Sequence, residues 1–135
     1  MNKIIIIGNV GRDPEMRYTS SGQAITGFSV AVNESYTNSN GEKVKNTIWF
    51  RVSAWGKQAE ICNQYIKKGS KILAEGKLTA DKTTGSPRIW TKGDGEAQTS
   101  FELSASYVEF LSPRADADGH APQADNAPPE DDNPF

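Results

Sequence analysis

One cysteine and one histidine are all that this chain of 135 residues has of the two residue types on which most nucleophile and zinc chemistry rests. Cys62 alone cannot close an intramolecular disulfide, so nothing calls for an oxidising compartment. His120 lies in a stretch rich in proline and aspartate, which leaves a Ser-His-Asp triad or a Cys/His zinc site without parts. The run Ile4 to Ile7 is far too short to cross a bilayer, and the one lysine before it does not make a signal peptide. A soluble cytoplasmic protein with no membrane partner is expected.

Phosphate-binding loops are missing as well. Gly8-Asn9-Val10-Gly11 lacks the spacing of a dinucleotide loop, and Lys68-Gly69-Ser70 lacks the upstream glycine of a P-loop. These read as a bend and a helix cap. Asp13 and Glu15 flank Pro14 in a turn and Glu75 stands beside Lys77, with no nucleophile or metal ligand near any of them. No catalytic residue, metal or cofactor is expected, and the chain reads as a binding protein rather than an enzyme.

What the chain does have is divided unevenly. The net charge of -2 conceals 14 Lys/Arg against 11 Asp/Glu over residues 1–112, and 1 against 6 over residues 113–135. A weakly basic body suits an anionic partner; an acidic tail suits either a basic partner or solubility alone. From Ser112 onward apolar residues almost vanish, so 113–135 reads as a disordered tail after a single domain, 1–112. Its tip is Glu130-Asp131-Asp132-Asn133-Pro134-Phe135, an acidic run closed by an aromatic residue.

Within the domain, Lys3 to Val10 reads as a buried strand, continued by Glu15 to Thr19 and folded back through Ser20-Ser21-Gly22 onto Ala24 to Val32. Asn33 to Asn46, with Asn40-Gly41, reads as a long exposed hairpin loop. After Gly56 the period changes: Ala59, Cys62 and Ile66, with Ile61 and Tyr65, mark one face of a short helix ending at Lys67-Lys68-Gly69. Cys62 reads as a small buried residue there. Lys71 to Thr79 is a strand with Ile72, Ala74 and Leu78 on one face, Asp81 to Thr99 a long mobile loop, and Phe101 to Leu111 the last strand. The order is strand, strand, strand, helix, strand, strand. It matches an all-β fold, the five-stranded OB barrel, whose helix lies between the third and fourth strands.

Thr47 to Lys57, TIWFRVSAWGK, is the segment that points to function. Alternation puts Trp49, Arg51, Ser53 and Trp55 on one face and Phe50, Val52 and Ala54 on the other, so both tryptophans share a face with the arginine. Flat rings around a guanidinium suit stacked bases beside phosphates; they would equally close a second small core, a subunit contact or a protein-binding surface. Since an OB barrel binds oligonucleotides across strands two and three, the candidate set for binding DNA or RNA is Tyr36, Trp49, Arg51 and Trp55, with Lys43, Lys45, Lys57 and Lys92 nearby and Arg17, Lys68, Lys82 and Trp90 beyond. Stacking needs unpaired bases, which favours single strands.

Several segments, in this order, resemble the bacterial single-stranded DNA-binding proteins: Ile7-Gly8-Asn9-Val10-Gly11-Arg12-Asp13-Pro14-Glu15, Arg17-Tyr18, Phe28-Ser29-Val30-Ala31, Trp49-Phe50-Arg51-Val52, Gly56-Lys57 and Tyr65-Ile66-Lys67-Lys68-Gly69-Ser70, then the last six residues. The resemblance implies a homotetrameric OB-fold protein of replication, recombination and repair, cytoplasmic and nucleoid-associated, with stacking aromatics at Tyr36, Trp49 and Trp55. Where the family carries another aromatic after strand four, this chain has Lys82-Thr83, and Trp90 is the candidate to replace it. The resemblance also implies that Glu130, Asp131, Asp132, Asn133, Pro134 and Phe135 dock into basic pockets of replication and repair proteins.

Overall fold

The computed structural model describes residues 1–112; the acidic tail and its tip, Glu130 to Phe135, lie outside the described residues. The elements run β1 (Ile4–Val10), β2 (Glu15–Tyr18), β3 (Ala24–Thr37), β4 (Lys43–Trp55), α1 (Gly56–Tyr65), β5 (Lys71–Thr79), β6 (Ile89–Thr91), β7 (Ala97–Thr99) and β8 (Phe101–Phe110). Five of these close a barrel. β1 pairs with β3 and β5, β3 with β4, β4 in parallel with β8, and β8 with β5. The expected OB architecture follows, with α1 between the third and fourth barrel strands; closure pairs these strands on both sides within the barrel, and only the part of β3 and β4 that extends beyond it keeps open edges.

Side-chain alternation builds the interior. Phe28 and Val30 of β3, Phe50, Val52 and Ala54 of β4, Ile72 and Ala74 of β5 and Leu103 of β8 all point inward into one cluster. Burial of each large aliphatic side chain is worth about 1.5–3 kcal/mol. Helix α1 plugs one end with Ala59 and Cys62, and Ile66 just beyond it is buried too. Thr26, the only buried polar residue among those described, donates from Oγ1 to the Ala59 carbonyl at 2.6 Å and so ties α1 to β3. Between β5 and β8 the register shifts at Glu75/Gly76. A Cβ on Gly76 would run into the Ser104 carbonyl, so the strands can approach this closely only over glycine.

Four sequence expectations need correction. Asn33 to Asn46 is not a long loop: β3 and β4 stay paired from Ile25↔Trp55 to Thr37↔Lys43, and only the turn at 38–42 is left over. Such a ribbon is exposed on both faces, so its sequence has no apolar alternation to reveal it. Asp81 to Thr99 likewise contains a hairpin, β6 paired to β7, as a separate two-stranded sheet. Tyr65, expected on the buried face of α1, is exposed, with its ring 6.2 Å from that of Phe110. Leu78 is exposed as well: it keeps the inward face of β5, in register with the buried Leu103, but stands one residue from the end of the strand.

Candidate nucleic-acid interface

The outer face of β4 carries Trp49, Arg51, Ser53 and Trp55, while Phe50, Val52 and Ala54 are buried. Trp49 and Trp55 are 52% and 41% exposed, too open for a second core within this chain. Two residues apart on one face at about 3.4 Å per residue, Arg51 and Trp49 are near neighbours, and the Cα atoms of Trp49 and Trp55 are about 20 Å apart along the strand. Opposite them on β3 the register places Ala31, Ser29, Gly27 and Ile25. The first three are small, so the guanidinium and rings rise above a low floor.

Each ring has its own seat. Trp49 lies over the bend between β1 and β2, where a Cβ on Gly11 would come within 2.6 Å of its Cζ3. Trp55 donates from Nε1 to Ser104 Oγ at 3.2 Å, which fixes the indole against β8. Arg17 of β2 pairs with Ile25, the partner of Trp55, so Arg17, Ile25 and Trp55 form one row across three strands. Ile25 is buried although it faces outward and stands apart from the main core, as expected beneath this row.

The charges around the strip are mixed. Beside it, Arg12, Asp13, Glu15, Gly27, Ser29 and Arg51 line a shallow hollow of about 100 Å³. Arg51 also lies in register with Glu102 of β8, whose carboxylate accepts Arg88 Nη2 at 2.7 Å. That hydrogen bond and charge raise the pKa of Arg88 further above its already high value. Among the described residues Arg51 itself has no ion-pair partner, which leaves its guanidinium available to an external anion.

Placed on this frame, the expected set divides. Trp49, Arg51, Trp55 and Arg17 share one surface, and Lys43 and Lys45 continue the same face of the β3–β4 ribbon by their odd positions on β4. Tyr36 is 54% exposed but pairs with Val44, which puts it on the ribbon's other face with Ile48. Lys57 stands in the first turn of α1, two residues after Trp55. Lys68 lies in the turn after α1, its N–H donating to Asp13 Oδ1 at 2.8 Å beside the hollow. Lys82 sits in the turn after β5, Trp90 on β6 and Lys92 in the tight turn joining β6 to β7. The guanidinium carbon of Arg88 is 5.1 Å from the centre of the Trp90 ring. Gly11, Ser104 and Glu102 were not among the expected residues, because each acts on a partner brought near only by barrel closure.

The fold and surface define a class: an OB barrel whose open strand face presents aromatic and cationic side chains together. A model of the single-strand binding protein family matches residues 1–111, and the chain belongs to that family. It is 38% identical to a single-stranded DNA-binding protein of Neisseria meningitidis serogroup A over 122 residues, 90% of this chain and 66% of the relative. Single-stranded DNA-binding protein 1 of Chlorobaculum tepidum is 42% identical over 96 residues, 68% of this chain and 59% of the relative. The chain thus spans less than two thirds of either relative's length. Among solved structures, a Plasmodium falciparum SSB in complex with ssDNA superposes with a TM-score of 0.66 at 27% identity, covering 83% of this chain and 96% of that one.

Proposed function

We propose that the chain binds single-stranded DNA with little sequence preference, across the outer face of β3 and β4. The observation that carries this reading is the exposure of Trp49 and Trp55 on either side of Arg51, which has no ion-pair partner among the described residues, on the part of β4 whose opposite face, Phe50, Val52 and Ala54, is buried in the core. Every base has a π-face, so a stacked base contributes about 1–3 kcal/mol whatever its identity. Arg51, Lys43, Lys45 and Arg17 line the same surface and supply phosphate contacts, whereas Asp13 and Glu15 repel a backbone from the hollow beside it. Family membership and the names of the relatives support the same reading. Trp90 serves as a further stacking plate in place of the aromatic absent at Lys82-Thr83, and the role is binding rather than catalysis.

In the cell the protein acts in replication, recombination and repair, in the nucleoid of the cytoplasm. It works as a homotetramer, supported by the exposed Ile5 and Tyr107 on the outer side of the β1–β5–β8 sheet. The tip Glu130 to Phe135 recruits basic partner proteins, Phe135 filling an apolar pocket while the neighbouring aspartates meet Arg or Lys. Titration of intrinsic tryptophan fluorescence with unlabelled oligothymidine tests the central claim. Deep quenching that weakens as salt rises is expected; absence of quenching would refute it. Removal of the tip is expected to leave DNA binding unchanged or tighter at low salt.

A further inference from the structure

The β6–β7 hairpin has little to hold it in place. Each strand pairs over only three residues, the two form their own sheet apart from the barrel, and Ile89 is 70% exposed. A two-stranded hairpin without an apolar face is marginal by itself. Yet Arg88, at its base, reaches the barrel: Nη2 and Nε approach the two carboxylate oxygens of Glu102 at 2.7 and 3.5 Å, a fork-to-fork pair. Ser100 Oγ lies 3.5 Å from Glu102 Oε2, and the Glu102 side chain is only 19% exposed, so the acceptor is held in one orientation. The same guanidinium covers Trp90 at 5.1 Å.

We infer that Glu102 is a positioning residue: it holds Arg88 across one face of Trp90, which fastens the β6–β7 hairpin beside Arg51 and leaves the other face of Trp90 for a base. This rests on the reading of Trp90 as a stacking plate. Two arginines therefore flank one carboxylate with different duties. Arg51 is in register with Glu102 but has no ion-pair partner among the described residues, so it is free to take a phosphate. Arg88 is engaged by Glu102 and by the ring, so it orders the plate and does not contact the backbone of the ligand.

Two measurements on the full chain test the assignment. In W49F/W55F protein, where Trp90 is the only tryptophan, acrylamide quenching without DNA reports how well the ring is covered. Glu102→Gln and Arg88→Gln are each expected to raise the quenching constant about 2- to 5-fold, the range by which such an ion pair shifts an equilibrium, with Glu102→Asp recovering most of the loss. In protein with all three tryptophans, Glu102→Gln is expected to steepen the log-log salt dependence of oligothymidine binding by about 0.7, because the freed Arg88 gains a phosphate. Arg88→Gln is expected to weaken binding while leaving that slope unchanged. Unaltered Trp90 accessibility in both variants would overturn the inference, and so would a slope that falls by about 0.7 in Arg88→Gln. Arg88 lies on an exposed hairpin, so its variant keeps the test open even if Glu102→Gln fails to fold. If Trp90→Ala binds DNA as tightly as the unaltered protein, the stacking-plate reading fails while the accessibility result still decides what holds the hairpin.

Discussion

Gly11→Ala isolates the placement of Trp49 from the stability of the barrel. A Cβ at that position would stand 2.6 Å from Cζ3 and 2.9 Å from Cη2 of the ring, against 3.4 Å for ordinary contact, so the ring must retreat by the better part of an ångström. The obstacle is the far end of a side chain and not backbone, and Gly11 is outside the left-handed region, so the fold can accept the methyl group. The thermal midpoint is expected to stay level or rise slightly, since Gly to Ala at a tolerant position stabilises by about 0.4–1 kcal/mol. Binding should suffer instead. A gap of this size forfeits about a quarter to a half of a dispersion contact. Applied to a stacked base worth about 1–3 kcal/mol, that predicts a loss of about 0.3–1.5 kcal/mol, or roughly 2- to 12-fold in affinity for oligothymidine. Fluorescence titration of Gly11→Ala, Trp49→Ala and the double variant closes a cycle. In the Trp49→Ala background the methyl group has nothing to displace, so Gly11→Ala is expected to be neutral there. An equal loss in both backgrounds would refute the claim that Gly11 acts through the ring.

Three further outcomes follow from the core and the strip. Thr26→Val keeps the shape but removes the 2.6 Å bond to the Ala59 carbonyl, and is expected to cost about 1–3 kcal/mol in urea unfolding with DNA affinity per folded molecule unchanged. Gly76→Ala forces β5 from β8 and is expected to destabilise by at least about 1–3 kcal/mol; an unchanged denaturation midpoint would mean that the strands can part there freely. Burial pushes the Cys62 thiol from 9.0 up to about 12, so the folded protein retains a proton that the unfolded chain releases above 9.0. The stability attached to it is complete below pH 9.0 and is lost as pH rises toward about 12, by up to about 1.4 kcal/mol per unit. Urea titrations of the unaltered protein and Cys62→Ala between pH 8 and 10 should show a shallower alkaline decline in the variant; parallel declines would contradict it.

What could be read from the sequence was set by range. Trp49, Arg51 and Trp55 were legible because period-two alternation is a local property, and the helix around Cys62 because its period changes within a few residues. The ribbon at 33–46 was not, since a strand pair exposed on both faces needs no apolar side chains and is held by backbone pairing, with Thr47 Oγ1 donating to Asn33 at 2.9 Å. Gly11 gave no sign of its role because the ring above it comes from β4, and Ser104 none because it meets Trp55 only across the parallel β4–β8 pairing. Glu102 and Arg88 were separated by a segment of Gly, Lys and Asp that looks structureless until the ion pair is seen.

Tyr36 sets a condition on the path of any bound strand. The β3–β4 register runs without a shift from Ile25↔Trp55 to Thr37↔Lys43, so no bulge exchanges the two faces between Trp49 and the hairpin tip. Lys43, Lys45 and Trp49 therefore share one face, while Tyr36, Val44 and Ile48 share the other. Ribbon twist rotates both faces together and cannot bring a residue from one to the other. A single strand that stacks on Trp49 and on Tyr36 has to cross the ribbon's edge between them. The ribbon then acts as a post around which the strand turns, and a flat groove on one side of the sheet is not enough to hold both contacts.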